Sequence, residues 1–156
     1  MFGMDEKQQP IKILVFEGPD KVGKSTLIGE INRRTNYEYL CVDRFTGSAW
    51  VYDRLSRRRT RQAELTATEK ELASLKTTRV FNILLKCDKD ILHRRILDSE
   101  KQTTSRISML EQTIALYEEY ATHVSLLPVI EIDTTERSID NTVDEILRKV
   151  SKLCTV

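Results

Sequence analysis

The sequence predicts a three-layer α/β fold, a parallel sheet of four to five strands with helices on both faces. Three observations carry this. Apolar runs of strand length alternate with segments of helical periodicity along the chain. The first run, Ile11–Glu17 (IKILVFE), is nearly continuous in apolar residues, as a strand buried on both faces must be. A glycine loop joins it to the first helical segment, at the C-terminal edge where parallel sheets gather ligands.

Taken in order, the loop after Ile11–Glu17 opens into a helix over Ser25–Arg34, with Leu27, Ile28 and Ile31 on one face. Asn36–Asp43 (NYEYLCVD) is rich in β-formers and predicts a second strand. A turn at Thr46-Gly47-Ser48 leads into a long polar helical stretch from about Ala49 to Leu75. Thr77–Cys87 predicts a third, buried strand, and Asp88 or Asp90 is placed to cap a helix running to Leu97. Glu100–Arg106 is polar with few apolar anchors and predicts a mobile loop. Ser108–Val124 carries Leu110, Ile114, Tyr117 and Ala121 at helical spacing, and Leu127–Asp133 predicts a fourth strand. Ser138–Leu153 closes the pattern as an amphipathic helix, with Ile139, Val143, Ile146, Leu147 and Val150 on one side. Residues 1–10 then form a tail and 11–156 one domain, with a lid loop at about 98–107.

The 156 residues are enough to bury a core without staples. A net charge of +1 excludes polyanion binding by overall charge, so any basic surface is local. The three cysteines have no metal-ligand spacing; Cys41 and Cys87 sit in apolar runs and predict buried positions. No apolar stretch of signal-peptide or membrane-spanning type occurs, and a reducing, cytoplasmic setting is expected, with no membrane partner.

The chemistry lies in Phe16–Thr26, FEGPDKVGKST, which fits G-x-x-x-x-G-K-[ST] through Gly18, Gly23, Lys24 and Ser25. Gly18 and Gly23 permit backbone conformations that turn consecutive N–H groups toward phosphate oxygens. Pro19, Asp20, Lys21, Val22 and Thr26 complete the nucleotide-binding stretch. The helix dipole beginning near Ser25 favours an anion, Lys24 brings charge to the outer phosphates, and the Ser25 hydroxyl suits Mg²⁺. Such loops serve kinases, GTPases and motor ATPases. No N-K-x-D segment reads guanine here, and the chain is short for a motor, which leaves a small ATP-dependent kinase as the fitting class.

This stretch resembles the thymidylate kinase family of P-loop nucleoside monophosphate kinases in Glu17, Gly18, Asp20 and Lys21. The segment Asp43–Tyr52 (DRFTGSAWVY) is similar to a second family motif, Arg94-Arg95 to the arginines that start the lid, and SRISMLEQTIALYEEY to the lid arginine and the Tyr-bearing helix after it. The likeness runs from about Ile11 to Val150. Lys24 and Asp43 are too close for the family's intervening acceptor-pocket region, so the chain resembles a trimmed member.

The resemblance implies a P-loop kinase fold and transfer of the ATP γ-phosphate to a deoxynucleoside monophosphate. Asp20 would contact the acceptor, and Arg44 would hold its phosphate, with Phe45 and Trp50 beside it. Ser25 and Asp43 would ligate Mg²⁺. Lys21, Lys24, Arg94, Arg95 and Arg106 would neutralise the transferring phosphoryl group, which needs positioning and charge rather than covalent chemistry. Each has a plainer alternative: Asp20 as a turn cap, Arg94 or Arg95 on a solvated helix face, Trp50 and Tyr52 in the core.

One stretch competes. In YDRLSRRRTRQ, Arg54, Arg57, Arg58 and Arg61 fall at i, i+3, i+4 and i+7 and would share one helix face. A solvated face is one reading; a track for a nucleic acid phosphorylated at its 5′ end or on a modified base is another. A homodimer completing the trimmed pocket and a non-catalytic nucleotide-binding domain also stay open.

Overall fold

A computed structural model describes residues 9–99 and 107–155. Among them the order is β1 (Ile11–Glu17), α1 (Lys24–Thr35), β2 (Leu40–Asp43), α2 (Thr46–Leu55), α3 (Gln62–Ser74), β3 (Thr78–Lys86), α4 (Lys89–Leu97) and α5 (Leu110–Glu119). A π-helical turn at Tyr120–Val124, β4 (Val129–Asp133) and α6 (Ile139–Cys154) follow. The four strands form one parallel sheet in the order β2-β1-β3-β4.

The strands are apolar on both sides because helices cover both sides. Leu14, Phe16, Ile83, Leu85 and Ile132 pack with Leu27 and Ile31 of α1, Leu92 and Ile96 of α4, and Val143, Ile146 and Val150 of α6. The opposite face sends Leu84 against Trp50 and Val51 of α2, Tyr117 of α5 and Tyr120, and Val15 and Val80 against Leu127. The chain steps from β1 outward to β2 and then across to β3 on the other side of β1. That reversal opens a crevice beyond the C-terminal ends of β1 and β3.

Several elements differ from the sequence expectation. The second strand starts at Leu40, because Asn36 and Tyr37 take left-handed φ values of 50° and 59° as α1 ends. The helix expected from Ala49 to Leu75 is two helices. It breaks after Leu55, and Arg57 turns the chain with φ 51°. The break exists because the buried Asp53 carboxylate takes its partners from Arg61: the Arg61 Nε donates at 3.0 Å, Nη2 at 2.8 Å and its backbone N–H at 3.1 Å. A continuous helix would carry Arg61 away from Asp53. Asp88 occupies the N-cap position of α4 without a side-chain capping bond. Cys41 and Cys87 are half-buried beside the core rather than within it. Ile139 is exposed, because it begins α6 where Ser138 accepts the Asn141 N–H at 3.1 Å. The expected loop over 100–106, with Arg106, lies outside the described residues. No helix among the described residues is long and apolar enough to cross a membrane.

Core burial on α6 predicts a contrast. Ile146→Ala, at a site with 0% exposure, should cost about 2–5 kcal/mol in urea unfolding. Ile139→Ala, at 46% exposure on the same helix, should stay within about 0.5 kcal/mol.

Candidate active site

The loop sits at the crevice because β1 ends there. Gly18 has φ 143° and lies so close to β3 that a Cβ would stand 2.7 Å from the Leu85 carbonyl oxygen. Lys21 is left-handed at φ 65°, a conformation that costs a non-glycine residue on the order of 1–2 kcal/mol. Pro19 and Val22 are buried, with Val22 anchoring the loop to the core, while Lys21, Ser25 and Thr26 are exposed. Gly23, at φ 105°, is the N-cap of α1, so the helix N-terminus points its N–H groups along the loop.

Lys24 is 6% exposed, and its ammonium donates to the carbonyls of Gly18 and Pro19 at 2.8 Å each. Burial pulls its pKa down to about 8, with the Arg44 charge adding to the effect and Asp43, Asp20 and Glu17 opposing it.

The parallel register pairs Phe16 with Asp43, so β2 ends beside the start of the loop. Ser25 and Asp43 therefore face each other, with the Ser25 hydroxyl 3.4 Å from an Asp43 carboxylate oxygen. No cluster of three or more metal-ligating side chains occurs among the described residues. One hydroxyl and one carboxylate, both exposed, fit Mg²⁺, which keeps waters and takes substrate phosphates as its other ligands.

Arg44 follows Asp43 with φ 68°. Its N–H donates to the Phe16 carbonyl at 3.0 Å, and its guanidinium pairs with Asp20 and lies 5.4 Å from the centre of the Tyr52 ring. The two residues expected on the acceptor side thus bind each other across the cleft. Asp20, Lys21, Gly23, Lys24, Ser25, Thr26, Asp43 and Arg44 line one open cleft of about 440 Å³. A narrower space of about 140 Å³ continues past Asp20 to Tyr52, Ser56, Ile96 and Met109.

Beyond the other side of the loop, Lys21, Thr26, Arg95, Thr134, Arg137 and Thr142 line a cleft of about 260 Å³, together with four other residues. Arg95 donates to the Lys21 carbonyl at 3.1 Å, which brings one of the two expected lid arginines to the loop. Arg94 is exposed and lines neither cleft.

Phe45 is 43% exposed next to Arg44. Trp50 is not available to a base: it is 2% exposed, with the Arg54 guanidinium 3.5 Å from its ring centre and Tyr120 at 6.0 Å. The arginine strip does not form. Arg54 covers Trp50 and bonds Gln62 at 2.8 Å, Arg61 holds Asp53, and Arg57 and Arg58 lie on the connecting segment between helices.

The sequence did not assign a role to Glu17 beyond the motif. It is 1% exposed, accepts the Phe45 N–H at 2.8 Å and the Ser48 hydroxyl, and Ser48 in turn meets the Tyr117 hydroxyl at 2.8 Å. Burial pushes its pKa up, against the Ser48 and backbone hydrogen bonds that lower it. A second buried carboxylate, Glu69, accepts from Thr46 at 2.7 Å, from Tyr120, and from the Leu126 N–H at 2.8 Å. The signal for this layer was Asn82 inside the apolar third strand: its amide donates to Tyr120 and Ser125 at 3.0 Å each.

No known family and no curated protein matches the sequence. The fold does have relatives among solved structures. YorR of Bacillus subtilis, solved with phosphorylated GDP, superposes with a TM-score of 0.70 over 92% of this chain and 98% of its own, at 16% identity. The architecture is that of P-loop kinases. Deoxyadenosine kinase from M. mycoides, solved with dCMP and dCDP as products, gives a TM-score of 0.59 at 15% identity, covering 90% of this chain and 99% of its own. Gluconokinase from Sinorhizobium meliloti 1021 gives 0.54 at 18%, covering 94% of both chains.

The Lys24 environment predicts a proton linkage. Bound phosphates add negative charge beside the ammonium and raise its pKa, so nucleotide binding near pH 8 should take up about half a proton. Calorimetry of ADP binding at pH ~8, above the range in which the ADP phosphate titrates, in buffers of different ionisation enthalpy should show this uptake, and its absence would contradict the linkage. Affinity should accordingly fall as pH rises above the free-state value.

Proposed function

We propose that this protein is an ATP-dependent phosphotransferase that moves the γ-phosphate to a deoxynucleoside monophosphate. The observation that carries the reading is the single cleft in which Lys24, Ser25, Asp43, Asp20 and Arg44 converge. The loop N–H groups and Lys24 suit the β- and γ-phosphates. Lys24 exchanges its carbonyl partners for phosphate oxygens when nucleotide binds. Ser25 and Asp43 would hold Mg²⁺, which would supply neutralising charge at the donor phosphates.

Arg44 lies one residue past Asp43 and is the cation on the acceptor side; an acceptor phosphate replaces or shares its Asp20 partner. Lys21 and Arg95, on the loop's outer side, add positive charge around the transferring group. Arg94 lies on the exposed face of α4 and lines neither cleft. Phe45 is the exposed ring beside Arg44 and is the better candidate for a base than Trp50.

A polynucleotide acceptor loses its main support, since Arg54 and Arg61 are committed to internal partners and no continuous basic face exists on α2. A binding domain without turnover does not account for Asp43 and Arg44 meeting beside Lys24 and Ser25.

ATP labelled at the γ-phosphate, offered with deoxynucleoside monophosphates, nucleosides and DNA, should pass label to a mononucleotide. Label entering DNA alone, or none transferred anywhere, would refute the assignment. Lys24→Ala should lower turnover by at least about a hundredfold with unchanged circular dichroism. Arg44→Ala should act mainly through the acceptor, raising its KM about ten- to a hundredfold while leaving the ATP KM near its original value.

A further inference from the structure

We propose that Glu17 is the positioning residue that fixes Arg44 in the acceptor half of the cleft, by capping α2 from the end of β1. The inference rests on the acceptor role given to Arg44 above. Helix α2 has no cap of its own: Phe45 occupies the N-cap position, and no local side chain bonds the first turn. Glu17 supplies the missing acceptors from another element. One carboxylate oxygen takes the Phe45 N–H at 2.8 Å and the other takes the Ser48 hydroxyl.

The fit leaves no slack. A Cβ on Gly47 would stand 3.0 Å from the Glu17 carboxyl carbon and 2.7 Å from the Tyr120 ring. Tyr117 braces the far side, its hydroxyl 2.8 Å from Ser48.

The consequence falls on Arg44, which lies between two pinned neighbours. On one side its own N–H is held by the Phe16 carbonyl at 3.0 Å; on the other the Phe45 N–H is held by Glu17. Its left-handed backbone, φ 68°, persists because both flanks are fixed. Without the carboxylate, the Phe45 peptide is released and Arg44 is free to leave that conformation, which moves its guanidinium relative to Asp20 and the loop. Glu17 directly precedes Gly18, so one side chain ties the phosphate loop and the acceptor arginine into one frame. A buried carboxylate is a costly way to cap a helix, and its position between the two halves of the cleft gives that cost a purpose.

Glu17→Met keeps roughly the volume and removes both acceptors, the one on the Phe45 N–H included. With thymidylate as acceptor, its KM should rise roughly ten- to a hundredfold, as expected for a misplaced binding group. The affinity for ADP, measured by calorimetry, should change less than about twofold. In an Arg44→Ala background the same substitution should add nothing further. The Arg44 side-chain Nε–H resonance, assigned by its loss in Arg44→Lys, should shift in Glu17→Met. If Glu17→Met melts below the assay temperature, Glu17→Asp, whose carboxylate is withdrawn by one methylene from the Phe45 N–H, carries the same test. An unmoved resonance, an unchanged thymidylate KM, or a parallel loss of ADP affinity would overturn the positioning role. Should the native protein phosphorylate no acceptor, the phosphotransferase reading fails separately. The resonance and the ADP affinity then decide for Glu17 alone: a shift at constant affinity upholds it, an unmoved resonance refutes it.

Discussion

The arrangement depends on one constraint, the parallel pairing of β1 with β2 that sets Phe16 opposite Asp43. Two adjacent parallel strands that end level with each other deliver their following residues to the same edge of the sheet. Here β1 delivers the phosphate loop and β2 delivers Asp43 and Arg44. A slip of one residue would turn Asp43 to the opposite face of the sheet and separate it from Ser25. The helices on both faces make such a slip costly, since Leu14, Phe16 and Val15 are all at most 1% exposed. Burial of ordinary aliphatic side chains thus sets the geometry of a charged site.

The site is electrostatically provisioned before any nucleotide arrives. Lys24 rests on two carbonyl oxygens, Arg44 on Asp20, and Arg95 on the Lys21 carbonyl. Each cation is held by a partner that phosphate oxygens can replace, so little reorganisation is needed on binding. The lowered Lys24 pKa follows first from burial and then from the Arg44 charge, and an anion beside the ammonium would raise it. Behind the cleft, the layer of Glu17, Ser48, Tyr117, Thr46, Glu69, Tyr120 and Asn82 links β1, α2, α3, β3, α5 and the π-helical turn through hydrogen bonds that are mostly buried. The Asn82 amide oxygen has no partner in this layer, but its carboxylates and hydroxyls are paired, and that pairing favours one packing of the surrounding helices.

Much of this was legible in the sequence for definite reasons. The strands at Ile11, Thr77 and Leu127 show as apolar runs because a parallel sheet covered on both sides demands them, and the observed strands begin within two residues of those positions. The loop is legible because phosphate binding constrains glycine, lysine and serine spacing together. What escaped depends on distant partners. Propensity favours helix through Ser56–Arg61, but the need of buried Asp53 for Arg61 overrides it. Trp50 carries no local sign of whether it packs inward or faces a base. The burial of Glu17 and Glu69 is invisible to any pattern in which carboxylates count as surface residues. Arg44 and Asp20 were both assigned to the acceptor side, yet their direct pairing follows from φ angles that no periodicity encodes.

The proposed transfer requires one continuous phosphate path from Lys24 to Arg44. A dinucleotide of adenosine and thymidine joined by five phosphates spans both halves of such a path. Its affinity, measured by calorimetry with Mg²⁺ for the native protein and for Arg44→Ala, tests the claim directly. Binding should be far tighter than that of ADP, with most of the gain lost in Arg44→Ala. Binding no tighter than ADP, or equally tight in both proteins, would contradict the claim.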